Sequence, residues 1–252
     1  MNGFETHGIK HSSPSAINMY ADAPCAWVAR YLFDKKLHFG VAAQIGVLVE
    51  KVVENVLCGA GFQESLDMAH KTFLKDNALN TSQHDRDRIE DIEPMAMNAL
   101  EFLKPYGEPE YRTGIRGREQ QSISMTCKGN GWDLPVIGYL DFVYPKEGLV
   151  IDLKTTLRIP SEMSVAHKRQ GAIYSKAKGN MACKMLYVSP KKYVVHDVDD
   201  VAGTLKEVKA ILNRQEKFLR LDKETIRDIV PVHAESFYWG KDFKIRQELY
   251  GV

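Results

Sequence analysis

Two runs that read as buried β-strand, "VIGYLDFVY" and "GLVIDLKTT", meet across "PKEG" at residues 145–148. They constrain the chain more than any other feature, because each carries charge where a strand of this kind has none: Asp141 in the first, Asp152 and Lys154 in the second. An uncompensated charge in a dry interior is costly. The connection has proline early and glycine last, as a type I turn prefers, so the runs predict a hairpin with a four-residue loop. Tyr144 then faces Leu149, and counting back from the turn places Asp141 opposite Asp152 and Tyr139 opposite Lys154. Directly opposed Cβ atoms lie about 4.5–5.5 Å apart, and Asp152 and Lys154, two residues apart, share a face. Two carboxylates and an ammonium are therefore expected on one patch.

Like charges set opposite each other destabilise a sheet, and a single lysine balances only one of them. Two readings follow. The trio is a solvated hairpin face with a cross-strand ion pair, or it is the protein half of a cation site. The apolar residues on both faces of these strands favour the second, since strands covered on both sides seldom hold bare charge. Carboxylate oxygens with a backbone carbonyl, such as that of Leu153, suit Mg²⁺ or Mn²⁺.

The 252 residues, 44% hydrophobic and 27% charged, suffice for one large domain or two small ones with a substantial core. No apolar run approaches the roughly 20 residues that span a bilayer. The opening "MNGFETHGIKHSS" lacks the apolar centre of a signal peptide, which predicts a cytoplasmic setting. Four cysteines, Cys25, Cys58, Cys127 and Cys183, are scattered without a CxxC pair, against a zinc ribbon or disulfide framework. The formal net charge is only +1, so a nucleic-acid partner requires a locally basic face.

Periodicity predicts two short helices in "SPSAINMYADAPCAWVARYLF", with Ser13 as N-cap and a restart at Pro24. It predicts a long helix in "VAAQIGVLVEKVVENVLCGAG" that stops at Gly59 and Gly61. "ESLDMAHKTFLKD" and "HDRDRIEDIEPMAMNALEFLKPYG" read as amphipathic helices, the second interrupted at Pro94. From about residue 115 the period becomes two: strands in "GREQQSISMTC", "DLPVIGYLDFVY" and "GLVIDLKTT", a helix in "EMSVAHKRQGAIYSKAKG", strands in "CKMLYVSP" and "KYVVHDV", and a long closing helix in "DVAGTLKEVKAILNRQEKFLRL". We read one domain over residues 1–252, mainly helical to 115 and α/β from 116 onward. Its expected architecture is a mixed β-sheet flanked by helices, with a helical N-terminal layer.

Asp141 followed on the next strand by Asp152-Leu153-Lys154 resembles the PD-(D/E)xK nuclease superfamily. Within it, "GYLD" at 138–141 and "DLKT" at 152–155 match the Gly-x-x-Asp and Asp-x-Lys-Thr elements of the RecB-type exonuclease branch. That branch includes CRISPR-associated adaptation nucleases and the mitochondrial genome maintenance exonuclease. Upstream, "GVLVEKVVE" places Glu50 where the branch usually has histidine, with Glu54 four residues on; a glutamate there is similar to lambda-exonuclease-like relatives. Downstream, "QGAIY" supplies Gln170 and Tyr174 at the Gln-x-x-x-Tyr positions, on one helix face with His167 a turn earlier. The resemblance covers roughly residues 40–190. It implies a restriction-endonuclease-like fold. It also implies that Asp141 and Asp152, with the Leu153 carbonyl, hold a first Mg²⁺ or Mn²⁺. Glu50 would bind a second ion or its water shell, Lys154 would orient water and stabilise the transition state, and Gln170 and Tyr174 would contact the phosphate or position the water. Members with an iron–sulfur cluster need three more cysteines near the C-terminus, and none lies beyond Cys183, so no cluster is expected.

Between Ser161 and Val195 the basic residues Lys168, Arg169, Lys176, Lys178, Lys184, Lys191 and Lys192 face one acidic residue, Glu162. That predicts a phosphate-binding surface, or else a solvated helix exterior. Trp27, Tyr31, Trp132 and Trp239 are better read as core than as base-stacking residues. The expected activity is a metal-dependent DNA exonuclease for recombination, repair or phage DNA processing. The alternatives are a structure-specific endonuclease of the same superfamily and a non-catalytic DNA-binding protein on this scaffold. No GxSxG, P-loop, GxGxxG or HExxH motif points to another enzyme class.

Overall fold

The computed structural model describes the chain except Met1, Phe39, residues 111–120, Asn130, Gly131, Gly240 and Lys241; for residues 121–129 and Trp132 it describes only the backbone. The N-terminal part is helical: α1 (Gly3–Thr6), α2 (Pro14–Asp22), α3 (Pro24–Tyr31), α4 (Val41–Leu57), α5 (Phe62–Asp76), α6 (Gln83–Asp87) and α7 (Ile92–Leu103). Local chemistry sets these boundaries. Ser13 Oγ accepts the Ala16 N–H at 3.1 Å and Pro14 opens α2, while Pro24 restarts the chain as α3, which a proline does without penalty at a first helical turn. The expected interruption at Pro94 falls earlier. A 3₁₀ turn at Arg88–Asp91 separates α6 from α7, and Pro94 sits in the first turn of α7, where its missing N–H is no loss.

The strands are β1 (Gln121–Gly129), β2 (Trp132–Leu140), β3 (Phe142–Tyr144), β4 (Leu149–Thr155), β5 (Ala182–Val188) and β6 (Tyr193–Asp197), with α8 (Val165–Ala177) crossing between β4 and β5. The expected strand over 117–127 is described only from Gln121, and the "DLPVIGYLDFVY" run is two strands rather than one. β2 pairs with β1 in a two-stranded ribbon; the chain bends at Asp141, and β3 enters a four-stranded sheet of order β3-β4-β5-β6. Here β3 and β4 are antiparallel, β4 and β5 parallel, and β5 and β6 antiparallel. The turn brings Gly148 into the left-handed region at φ 60°, and Tyr144↔Leu149, Val143↔Val150 and Phe142↔Ile151 pair in the register expected from it. The ladder stops there. Tyr139 pairs with Ser122 of β1 and is 58% exposed, so it does not face Lys154 across a ladder.

Alternation divides the sheet between two cores. Phe142, Leu149, Ile151, Leu153 and Leu186 pack with α4, α5 and α7. Val143, Val150, Met185 and Tyr187 pack with α2, α3, α8 and α9 (Val201–Phe218). Asp152 and Lys154 share parity with Val150 and so lie on the α8 side. α9 is not the closing helix: α10 (Lys223–Ile229) and α11 (Phe243–Tyr250) follow it. Residues Leu219, Ile226 and Trp239 join the same core as Phe4, Ile17 and Trp27. Trp27 and Trp239 are 2% and 3% exposed, which makes them packing residues.

Candidate active site

The bend at Asp141 creates the site. Beyond Ile151, β4 loses its antiparallel neighbour, and the Leu153 N–H that a continued ladder would have used donates instead to Asp141 Oδ2 at 2.8 Å. A backbone donor left unpaired in the interior is costly, so this bond both terminates the ladder and fixes the Asp141 carboxylate over β4. Asp152 is 1% exposed. Its Oδ1 accepts from Gln170 Nε2 at 3.1 Å, and the same nitrogen lies 3.0 Å from Tyr174 Oη. Its Oδ2 is buried without a well-directed hydrogen-bond donor, and Lys154 Nζ stands 2.5 Å away as an ion pair.

Two glycines permit this assembly. A Cβ at Gly138 would lie 2.7 Å from Tyr174 Cε1, so the tyrosine can cover β2 only because position 138 has no side chain. This accounts for Gly138 three residues before Asp141 and couples "GYLD" to "QGAIY". A Cβ at Gly46 would lie 3.0 Å from Thr155 Oγ1, and this close approach of α4 to β4 brings Glu50, one turn further on, toward the carboxylates.

The electrostatics show too much negative charge for the one lysine. Burial, then Asp152 and Glu54, pushes Glu50 up to about 7. Asp141 is raised well above the usual carboxylate range, first by burial and then by Asp152 and Glu50. Burial alone would lower Lys154, but Asp152 and Asp141 outweigh it and hold the ammonium above its ordinary value. Tyr174 is pushed well up by burial, with Asp152 and Asp141 adding to it, so the phenol stays protonated.

Two further residues adjoin Lys154 that the motif positions did not mark as site residues. Tyr187 pairs with Lys154 in the β4–β5 register, and His167 Nδ1 shares a hydrogen bond with Tyr187 Oη at 2.5 Å. Burial, assisted by Lys154, pushes His167 down to about 4, which leaves a neutral imidazole beside the ammonium. The i, i+3 spacing of His167 and Gln170 was visible in the sequence. The register of Tyr187 was not, because parallel pairing has no short turn to set it.

A family profile described as the PD-(D/E)XK nuclease superfamily matches residues 11–244. The chain belongs to this superfamily. It is a nuclease on a restriction-endonuclease-like fold. Among solved structures, "Crystal structure of SSO0001" is similar at 14% identity with a TM-score of 0.36, over 67% of this chain and 85% of that one. No curated protein matches.

PD-(D/E)XK nucleases generally use divalent metal ions. Among the described residues no three His, Cys, Asp or Glu side chains stand as a ready-made metal cluster, and the Lys154 ammonium sits against Asp152 Oδ2. The donor chemistry nevertheless fits a hard cation. The oxygens are carboxylates, one of them is buried without a directed donor, and the upward push that Asp152 exerts on both Glu50 and Asp141 is what an added positive charge would relieve.

The basic stretch of the nuclease divides by face. Lys168 and Lys176 are exposed on α8. Arg169, expected on the phosphate-binding surface, is 9% exposed; its guanidinium donates to Glu207 Oε1 at 2.6 and 3.0 Å and to Asn18 Oδ1 at 3.3 Å, and lies 3.6 Å from Asp22. It ties α8 to α2 and α9 rather than facing solvent. Lys178 pairs with Glu110 at 3.1 Å.

Proposed function

We propose that this nuclease is a Mg²⁺- or Mn²⁺-dependent DNA exonuclease of RecB type, acting in recombination, repair or phage DNA processing. The observation that carries it is the buried Asp152, bonded by Gln170 on one oxygen and ion-paired to Lys154 on the other, with its charge felt by both Asp141 and Glu50. The exonuclease assignment rests on the likeness of "GYLD", "DLKT" and "QGAIY" to that branch.

Asp141, Asp152 and the Leu153 carbonyl would hold the ion, with Glu50 at a second ion or its water shell. Held by these residues, such an ion would supply a lowered pKa for a water and positive charge against the phosphate. Lys154, a donor without acceptor capacity, points an ammonium at a phosphate oxygen or at the water and stabilises charge that grows in the transition state. Gln170 holds Asp152 in one rotamer and Tyr174 holds Gln170, so both act as positioning residues. Lys168 and Lys176, with Lys178, attract the DNA backbone.

The test compares end-labelled linear DNA, single- and double-stranded, with covalently closed circles in Mg²⁺ or Mn²⁺. Mononucleotides or short products from linear substrates alone support the reading. Nicking or linearisation of closed circles would replace it with an endonuclease, and metal-independent binding without cleavage would replace it with a DNA-binding protein.

A further inference from the structure

A cavity of about 550 Å³ opens beside the first turn of α4, outside the carboxylate site. The volume lies within the roughly 300–1,000 Å³ of small-molecule sites. Its walls are apolar, from Met19, Leu37 and the Phe237–Tyr238 pair, whose rings are 5.2 Å apart. One end is polar and ordered: Asn77 Nδ2 donates to Gln44 Oε1 at 2.7 Å, and Gln44 Nε2 donates to Asp76 Oδ2 at 3.1 Å. Apolar walls that include aromatic rings, with a few fixed amide and carboxylate groups at one end, suit a heteroaromatic ring bearing amino and carbonyl groups. Phe237 lines this cavity while 82% exposed, an aromatic face that the described residues leave in water.

The cavity is joined to the carboxylates along one face of α4. Ala43, which lines it, is followed on that face by Gly46 and Val47 and then by Glu50, at helical spacing. With a rise of about 1.5 Å per residue this path is roughly 10 Å long, the length of about three stacked nucleotides at roughly 3.4 Å each. It is lightly furnished. Ala43 is exposed, Val47 is 64% exposed, and Gly46 lies against Thr155 next to Lys154.

We propose that the cavity is a base-binding subsite, which takes one unpaired nucleobase about three nucleotides from the phosphate held at Asp152 and Lys154. The inference rests on the nuclease acting on DNA and deepens it. A base paired within a duplex cannot enter a concave pocket without leaving its stack, so the subsite selects single-stranded or frayed ends. The base stacks on Phe237, and its polar edge meets Asp76 and the amides of Gln44 and Asn77.

The test uses the full chain and a set of labelled single-stranded oligonucleotides, each with one abasic residue at successive positions from either end. Binding is followed by anisotropy in Ca²⁺, and cleavage of the same strands is followed in Mn²⁺. The expected result is a loss of affinity of roughly tenfold or more when the abasic residue occupies one particular position. Phe237→Ala should weaken the intact strand by a similar factor and erase the position dependence, while Phe237→Trp retains it. Truncating so exposed a ring leaves the core intact, and Ala43→Phe, which narrows the cavity from its other wall, should act like Phe237→Ala. Equal affinity across all positions, or unchanged binding by Phe237→Ala and Ala43→Phe, overturns the proposal even where cleavage proceeds. A change in oligomeric state on Phe237→Ala, with DNA binding unaffected, also overturns it, in favour of self-association. Position-dependent binding without cleavage in Mn²⁺ supports the subsite and contradicts the nuclease reading instead.

Discussion

At the scale of single residues, Asp152 and Lys154 are set against each other. The sheet buries Asp152 to 1% exposure among other carboxylates, an arrangement that stability alone does not favour. Asp152→Asn keeps the acceptor for Gln170 and removes one of the clustered charges. It should leave folding stability within about 1 kcal/mol of the parent while cleavage falls at least 10²–10³-fold, the order expected for losing a charged group from such a centre. Lys154→Ala should cost as much activity, but also destabilise the fold by up to about 3 kcal/mol, because a buried carboxylate loses its counter-ion. Chemical denaturation without divalent ions, beside cleavage assays, separates the two. Equal destabilisation by both substitutions would contradict this account.

At the scale of elements, the join between the β1–β2 ribbon and the main sheet is controlled by side chains. Gly138 on β2 and Tyr174 on α8 form one contact that orients Gln170 and through it Asp152. Gly138→Ala should therefore lower cleavage by roughly 10-fold to 10²-fold without unfolding, since a misplacement of about 1 Å near a reacting centre can cost that much. Its effect should not add to that of Tyr174→Ala, and a double-mutant cycle measures the shortfall. Full additivity would mean that the two residues act independently. The register of Tyr144, Val143 and Phe142 with Leu149, Val150 and Ile151 was legible from the turn alone, because a short loop ending in glycine leaves little choice. The bend at Asp141 was not: a side-chain acceptor for the Leu153 N–H replaces a ladder bond, and no periodicity records that exchange. The placement of Arg169 was likewise invisible in a charge count, which cannot see Glu207 or Asp22 arriving from other helices. α10 and α11 escaped notice because each is only seven or eight residues long, too short for a helical stripe to stand out.

At the scale of the whole molecule, the two ends of the chain share one core, and Glu216 of α9 is a tie between them. Its Oε1 accepts the Gly3 N–H at 3.2 Å and Arg220 Nε at 3.0 Å, and α1 packs so closely that a Cβ at Gly3 would lie 2.2 Å from the Glu216 carbonyl oxygen. Burial pulls this carboxyl upward, but Arg220 and the Gly3 amide outweigh it and hold it below its ordinary value. A depressed carboxyl contributes stability that is present above its unfolded pKa, about 4.3, and is lost as pH falls through the folded value. Thermal unfolding from pH 7 to pH 3 should show the parent losing more stability than Glu216→Gln across that window. Parallel curves would show that Glu216 is not such a tie.

Asp141, Asp152 and Lys154 are proposed to form a metal-dependent phosphodiesterase centre. It is tested most directly by incubating end-labelled DNA with the parent, Asp152→Asn and Lys154→Ala in Mg²⁺, in Mn²⁺ and in EDTA. The parent should degrade DNA in Mg²⁺ or Mn²⁺ but not in EDTA, and each variant, though folded, should cleave at least about 10²–10³-fold more slowly. Undiminished cleavage in EDTA, or by either folded variant, would contradict it.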